Sequence, residues 1–318
     1  MKLQRMELAV AAAILAFSAV LALTVPEFFA RANLIDLFLS SVPVLIVALG
    51  MTLVILTGEI DISSGSVFAI ASVMAGAAAK SGLPPVAAAL AGCAAGALLG
   101  SMNGALVAYV RIPSIVATLA AMIALRDGLR WATQGAWIDN LPAGFQWLGW
   151  PQPAFRAAMF VLAIALSGAA AWILANLPIG RAIYATGSNQ EAARLAGIRT
   201  PLVKFWTFTV LGALTGLAAA LNAVRFNQIP SNTGLGLELK VIAAVVVGGA
   251  AVTGGSGSIT GTILGVTLMG MIGPALTFLG ASAYWERAIQ GAIILAAIVI
   301  STIRMHSRSG ERRAAEPA

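Results

Sequence analysis

Long runs of apolar residues without charge divide this chain into candidate membrane spans. The runs are Leu8–Val25, Leu37–Gly58, Ile62–Ala79, Leu83–Val110, Ile112–Leu125, Ala157–Gly180, Phe205–Val224, Val241–Trp285 and Ala288–Ile303. The run that begins at Val241 holds 45 residues, whereas a single span needs about 20. The glycine-rich sequence TGGSGS, residues 253–258, is the natural break within it. The pattern therefore predicts ten hydrophobic segments.

Two of these segments are short for a span. Ile112–Leu125 has 14 residues, and Val241–Val252, which precedes the glycine-rich break, has 12. Half-spanning helices are tolerated within a bundle where their free backbone groups line a cavity rather than lipid. We therefore expect an all-α polytopic membrane protein of about ten transmembrane helices, some of them broken or half-spanning.

The composition supports a membrane protein. Hydrophobic residues make up 59% of the 318 residues and charged residues only 10%, and the mean hydropathy is +0.93, whereas a soluble domain carries about 25% charge. We expect one transmembrane domain, residues 1–318, with its spans within 8–303 and a basic tail, 304–318. The basic residues are spread over loops and this tail, so they predict topology rather than nucleic-acid binding.

The distribution of lysine and arginine predicts the orientation. With ten spans and the N-terminus inside, the cytoplasmic side carries 11 basic residues and the other side eight. The eleven are Lys2, Arg5, Arg111, Arg181, Arg194, Arg199, Lys204, Arg304, Arg308, Arg312 and Arg313. Because cytoplasmic loops are enriched in lysine and arginine, we expect both termini to lie in the cytoplasm.

The most polar stretch in the second half of the chain is the loop 178–204, which the orientation places in the cytoplasm. Ser188 and Glu191 have the spacing of a capping box. Arg194 suits the negative end of a helix dipole, and Gly197 can end the helix in the left-handed region. The pattern predicts a short capped helix displayed in water, too short to be stable alone, through which the protein acts on a partner.

Glycines recur every four residues on each of two predicted helices, which predicts faces on which a neighbouring backbone can approach closely. The first set is Gly92, Gly96, Gly100 and Gly104, and the second is Gly257, Gly261 and Gly265. Both sets fit tight packing within a bundle. A surface for sliding, or for a second subunit, is the alternative.

The sequence offers little support for catalysis. The G-x-S-G pattern at residues 254–257 is that of an intramembrane serine protease, but His306, the only histidine, lies in the tail and leaves the serine without a base. There is no phosphate-binding G-x-x-x-x-G-K-[ST] sequence. Cys93 is the only cysteine, so neither a disulfide within the chain nor a cysteine metal site is expected.

Four polar residues near or within apolar runs are candidates for function. Glu59 and Asp61, if buried in the bilayer, suit proton coupling; at a turn, Asp61 instead caps the helix that begins near Ser63. Asn103 and Asn222 must face the bundle interior, where they bond to other helices or contact a polar solute.

Four motifs, in order along the chain, resemble the permease subunits of bacterial ABC importers for monosaccharides. They are GEIDISSGS (58–66), RIPSIVATLAA (111–121), GRAIYATGSNQEAARLAGI (180–198) and VVVGGAAVTGGSGSITGT (245–262). Three further stretches, 124–137, 225–240 and 282–291, are most similar to rhamnose-importer permeases, and autoinducer-2 permeases are similar over the same stretches. The family usually has glycine where this chain has Glu59.

The resemblance implies a pathway-forming subunit in the bacterial plasma (inner) membrane that moves a rhamnose-like monosaccharide, or autoinducer-2, from the periplasm to the cytoplasm. The implied partners are a second permease subunit, identical or paralogous, a cytoplasmic ABC ATPase and a periplasmic sugar-binding protein. ATP and magnesium would bind the ATPase, and this chain would need no cofactor, metal or catalytic residue. An ion-coupled secondary transporter that uses Glu59 and Asp61 is the alternative.

The same resemblance assigns roles to particular residues. The loop helix corresponds to the coupling helix that binds in a cleft of the ATPase, with coupling residues Arg181, Gly187, Ser188, Asn189, Glu191, Ala192, Arg194, Leu195 and Gly197. A neutral sugar needs a polar but weakly binding channel, for which the candidate residues are Asp61, Ser64, Asn103, Thr118 and Asn222.

Overall fold

The computed structural model describes residues 2–226, 228–282 and 284–296. The basic tail, the end of the last predicted span and His306 lie outside these residues. Within them the chain is helical, in the order α1 (Lys2–Thr24), α2 (Arg31–Leu56), α3 (Ser64–Lys80), α4 (Pro85–Ala108), α5 (Ser114–Thr133), α6 (Gln152–Asn176), α7 (Pro178–Ser188), α8 (Gln190–Leu195), α9 (Thr200–Ala223), α10 (Leu237–Val247), α11 (Ile259–Phe278) and α12 (284–296). Two 3-10 turns, Pro26–Phe29 and Gln146–Gly149, precede α2 and α6.

Six of the described helices are long and apolar enough to cross a membrane: α1, α2, α4, α6, α9 and α11. The shorter helix α3 is also apolar. The predicted all-α polytopic membrane fold is confirmed. α2 lies at its centre, because 78% of its apolar window is buried within the chain, compared with 11% for α1.

Helix α5 differs from the charge-free run that predicted it. The run ends at Leu125, but the helix continues to Thr133. The extra turns carry Arg126, whose guanidinium lies 3.6 Å from the carboxylate of Glu238. A charged side chain with a partner does not interrupt the backbone hydrogen bonds of a helix, so α5 extends eight residues beyond the charge-free run. α10, with 11 residues, is the half-length segment that the sequence predicted.

The helix ends collect at two opposite faces of the bundle. At one face, the N–H of Gly255 donates to the carbonyl oxygen of Leu56 at 2.9 Å, which joins the break before α11 to the end of α2. At the other face, the rings of Phe28 and Phe278 lie 5.9 Å apart, centroid to centroid. We call the first the α8 face, because α7 and α8 lie beside Leu56, and the second the opposite face.

The first glycine set of α4 packs against α9. Gly96 and Gly100 lie against Gly212 and Gly216, so closely that a Cβ at Gly212 would be 2.7 Å from the Cα of Gly100. Small residues on both helices allow this approach. Close approach increases the dispersion contacts that hold membrane helices together, because lipid provides no hydrophobic driving force between them. The pair Gly212-x-x-x-Gly216 on α9 was absent from the sequence prediction.

The second glycine set is divided between a loop and a helix. Gly261 of α11 faces Gly248, and Gly265 faces the carbonyl of Ala244 on α10. Gly257 precedes α11, which begins at Ile259. The prediction that all three glycines lie on one helix was therefore wrong, because the Ser258 hydroxyl accepts a bond from the N–H of Gly261 and begins the helix after Gly257.

Candidate functional site

The loop 178–204 contains two helices, α7 and α8, that meet at Asn189. The side-chain oxygen of Asn189 accepts from the N–H of Ala192 at 3.0 Å. Ser188 is instead the last residue of α7. The prediction that Ser188 caps the exposed helix was wrong, because the chain turns one residue later and places the asparagine oxygen at the free N–H groups. Gly197 follows α8 in the left-handed region, with φ +84°, as the sequence predicted.

The surface of α8 projects from the bundle. Leu195 is 82% exposed. The carboxylate of Glu191 and the guanidinium of Arg194 form an exposed ion pair of 3.1 Å beside it. Of the nine predicted coupling residues, all but Gly187 are exposed. An apolar side chain surrounded by charges is typical of a small docking surface, with an anchor at its centre and a polar rim.

Helix α7 fixes this surface to the bundle. Gly187 lies against the carbonyl of Leu56 at the end of α2, and a Cβ on it would be 2.6 Å from the nitrogen of Gly255. The hydroxyl of Tyr184 donates to the carbonyl oxygen of Gly257 at 2.9 Å. Contacts of α7 therefore connect α8 with the end of α2 and with the loop before α11.

Lys204 adds a second connection that the sequence prediction missed. Its ammonium donates to Gln190 Oε1 of α8 at 2.9 Å and to Glu59 Oε1 at 2.6 Å. Lys204 and Glu59 are 12% and 15% exposed at their side chains. Glu59 thus has a cationic partner and lies at the α8 face, in the segment that joins α2 to α3. A lysine 145 residues away along the chain gives no local sequence signal.

Asp61 is buried, with 2% exposure, and lies at a turn. One carboxylate oxygen accepts from the N–H of Ser63 at 2.7 Å and from its hydroxyl at 2.6 Å. The side-chain amide of Asn103 donates to the Ser63 hydroxyl at 2.7 Å. Asp61 therefore lies at the turn before α3, as one of the two predicted positions requires, and is buried within the protein.

Thr118 and Ser64 lie beside this turn. The Thr118 hydroxyl accepts from the N–H of Ile62 at 3.1 Å and donates to the carbonyl of Ser114 at 2.7 Å. Ser64 is 1% exposed. Four of the five predicted pathway residues are thus brought together as a packed polar cluster among α3, α4 and α5.

Asn222 lies elsewhere, on a cavity of ≈ 440 Å³ between α2, α9, α10 and α12. The polar and charged side chains that line it are Ser40, Asn222, Thr233, Lys240, Glu286, Arg287 and Gln290. Phe68 and Tyr284 contribute aromatic surface. The residues around Thr233 and Tyr284 follow the ends of α9 and α11, which places this cavity towards the opposite face.

Comparisons with known proteins agree on one family. The sequence profile of the family described as branched-chain amino acid transport system / permease component matches residues 33–298. The autoinducer 2 import system permease protein LsrC of Yersinia pseudotuberculosis is 37% identical over 287 residues, 90% of this chain and 82% of the relative. Its namesake in Escherichia coli is 38% identical over 285 residues, 88% and 83% of the two chains. No solved structure matches.

Proposed function

Because the chain belongs to the permease family of ABC importers, we propose that it is the membrane subunit through which autoinducer 2 enters the cell. Membership makes it a multi-pass, non-catalytic transport subunit, which implies an ATPase and a binding protein as partners. The single observation that carries the choice of solute is the similarity to autoinducer 2 import permeases over 82–83% of their length. This finding favours autoinducer 2 over the rhamnose-like sugar expected from the three short stretches.

We assign the α8 face to the cytoplasm and α8 to the ATPase. The exposed Leu195, with the Glu191–Arg194 pair beside it, supports this assignment, since a partner can cover the leucine without disturbing the fold. ATP and magnesium would bind the ATPase, and this chain would convert closure of the ATPase subunits into movement of α2 and α11. Alternating access requires each state to be stabilised differently, and the ATPase cycle supplies that difference.

The opposite face would then receive solute from a periplasmic binding protein. A second permease subunit, identical or paralogous, would complete the pathway. Glu59 contributes a cytoplasmic ion pair with Lys204 rather than a free acid within the bilayer, so the arrangement gives less support to an ion-coupled transporter.

The test is uptake by proteoliposomes that contain the permease with its partner permease and ATPase, supplied with the binding protein and ATP. Autoinducer 2 is expected to accumulate, and L-rhamnose to do so far less. Uptake of rhamnose in preference to autoinducer 2 would refute the proposal that autoinducer 2 is the imported solute. Accumulation of either solute without the ATPase would refute the importer mechanism.

A pair of leucine variants tests the docking surface in the same vesicles. Leu195→Ala is expected to lower ATP-dependent uptake about tenfold or more, because loss of a buried interface anchor costs about 2 kcal/mol. Leu98→Ala, at a side chain of α4 that is 70% exposed, is the matched control and should leave uptake near the parent level. Equal effects of the two variants would refute docking through α8.

A further inference from the structure

A groove opens at the α8 face between the end of α4 and the loop that joins α8 to α9. Its volume is ≈ 510 Å³, and its apolar lining consists of Tyr109, Ile198, Pro201 and Leu202. The rings of Tyr109 and Phe205 lie 5.7 Å apart, so the two helices contact each other beside the groove. A volume of this size is within the range of small-molecule sites, about 300–1,000 Å³. The groove is therefore large enough to hold a small molecule or the polar end of a larger one.

Three guanidinium groups lie at or beside the groove. Arg194 and Arg199 line it, and Arg111 follows Tyr109 by two residues. Arg194 pairs with Glu191, whereas neither Arg199 nor Arg111 forms an ion pair with a carboxylate of the described residues. Both of these arginines are exposed. The groove therefore offers two positive charges without a counter-charge, which suit an anionic ligand.

An exposed apolar stripe continues from the groove along α9. Leu202, Trp206 and Val210 follow each other at intervals of four residues, with exposures of 40%, 52% and 38%. Residues at this spacing lie on one face of a helix. Because α9 is long and apolar enough to cross a membrane, the stripe runs from the groove into the bilayer. Lipid chains reach this depth, whereas a soluble subunit such as the ATPase does not.

The aromatic and charged side chains are arranged in the order of a membrane surface. Tyr109 directly follows α4, and Trp206 lies in the second turn of α9. Tyrosine and tryptophan are enriched at the level of the lipid headgroups. Arg199 directly precedes α9, and Arg111 lies beyond the end of α4. The two arginines are thus placed at the headgroups, with the apolar stripe of α9 below them.

We propose that the groove binds an anionic phospholipid, with Arg199 and Arg111 as partners of its phosphate group and the α9 stripe as the partner of an acyl chain. Arginine matches the geometry of phosphate through paired hydrogen bonds, and basic pockets between membrane helices bind anionic headgroups. A free phosphate would leave the stripe uncovered, and a zwitterionic lipid would bring a cation next to the arginines. The proposal goes beyond import itself and does not depend on which solute the chain carries.

Native mass spectrometry measures lipid binding to the complete importer in detergent, into which phosphatidylglycerol or phosphatidylcholine is titrated. Phosphatidylglycerol is expected to bind more tightly than phosphatidylcholine. Arg199→Gln should raise the apparent Kd for phosphatidylglycerol about fivefold, the contribution of one basic residue near an anionic surface, and Arg111→Gln should add a similar factor. Arg31→Gln, at an exposed arginine that begins α2 at the opposite face, is the matched control. Equal Kd values for Arg199→Gln and Arg31→Gln overturn the proposal.

A probe on α9 separates a lipid from a protein as the occupant. Val210→Cys is made in a Cys93→Ala background, in which it is the only thiol of the chain, and is labelled with bimane. In nanodiscs, phosphatidylglycerol with brominated chains should quench the bimane more strongly than the same fraction of brominated phosphatidylcholine, with or without the ATPase. Val161→Cys, on α6 at a side chain that is 64% exposed, is the matched control, at which the two lipids should quench equally.

Three results at Val210→Cys would each overturn the proposal. Equal quenching by the two lipids would show that the stripe contacts lipid without preference for an anionic headgroup. Loss of quenching when the ATPase binds would assign the groove to the ATPase. Absence of quenching by either lipid would show that a second permease subunit covers the stripe.

Discussion

Lys204 and Glu59 form an ion pair of 2.6 Å that joins the start of α9 to the segment between α2 and α3. The same ammonium donates to Gln190 of α8. One lysine therefore connects the exposed helix with the turn that holds Asp61. The pair gives Glu59 a structural role at the end of α2.

Replacement of Glu59 is expected to weaken the link between the exposed helix and the bundle. Glu59→Gln should lower the free energy of unfolding by about 1.5–3 kcal/mol, because the largely buried ammonium of Lys204 loses its counter-charge and keeps only a neutral acceptor. Solute imported per ATP hydrolysed should also fall. Thermal unfolding in nanodiscs measures the first effect, and paired uptake and ATPase assays measure the second.

A double-mutant cycle separates the pair from its surroundings. Lys204→Met combined with Glu59→Gln should destabilise the protein by less than the sum of the two single changes. Strict additivity would show that the two side chains act independently, contrary to the ion pair. Arg194→Met, which breaks an exposed pair on α8, is the stability control, since such pairs contribute about 0–1 kcal/mol.

The cap of α8 provides a second prediction. Asn189→Ala should destabilise α8 by about 1 kcal/mol, the usual cost of losing an N-cap side chain. Ser188→Ala should cost less, since its hydroxyl does not cap α8. Amide hydrogen exchange at residues 190–195 measures local opening. Faster exchange in Ser188→Ala than in Asn189→Ala would show that Ser188 caps α8, as the sequence predicted.

The sequence predicted local features better than it predicted contacts between residues far apart in the chain. Apolar runs and the glycine at position 197 are local signals, and they predicted the membrane class and the end of the exposed helix. The cap was misplaced by one residue, because Ser188 and Asn189 are both good caps and only the turn between α7 and α8 decides between them. The partners of Glu59 and Glu238 are distant in sequence, at Lys204 and Arg126, so no local pattern could reveal them.

Close packing of α4 on α9 gives a third prediction. Gly212→Ala should destabilise the protein by about 1–3 kcal/mol, the usual cost of overpacking, because the new methyl would lie 2.7 Å from the Cα of Gly100. Gly168→Ala on α6 is the matched control, since its Cβ meets nothing within 4 Å. Thermal unfolding of the two variants in nanodiscs checks the difference. Equal midpoints would contradict the close approach of these helices.

Arg225 compensates for a backbone hydrogen bond that is missing from α2. Pro43 lies inside that helix and has no N–H to donate to the carbonyl of Leu39, four residues earlier. The guanidinium of Arg225 donates to this carbonyl oxygen at 2.8 Å. The arginine therefore satisfies a backbone group that proline leaves free, in the first half of α2.

If Arg225 stabilises α2 by satisfying this carbonyl, a substitution at Pro43 should restore the stability that is lost when Arg225 is replaced. Arg225→Met should lower stability by about 1–3 kcal/mol, because it leaves the Leu39 carbonyl unsatisfied. Pro43→Ala supplies the missing N–H, so the double variant should be more stable than Arg225→Met alone. The measurement is the unfolding midpoint of the four proteins in nanodiscs. If Pro43→Ala brings no recovery in the Arg225→Met background, Arg225 stabilises the chain by some other contact, such as its position 5.5 Å from the ring centre of Phe226.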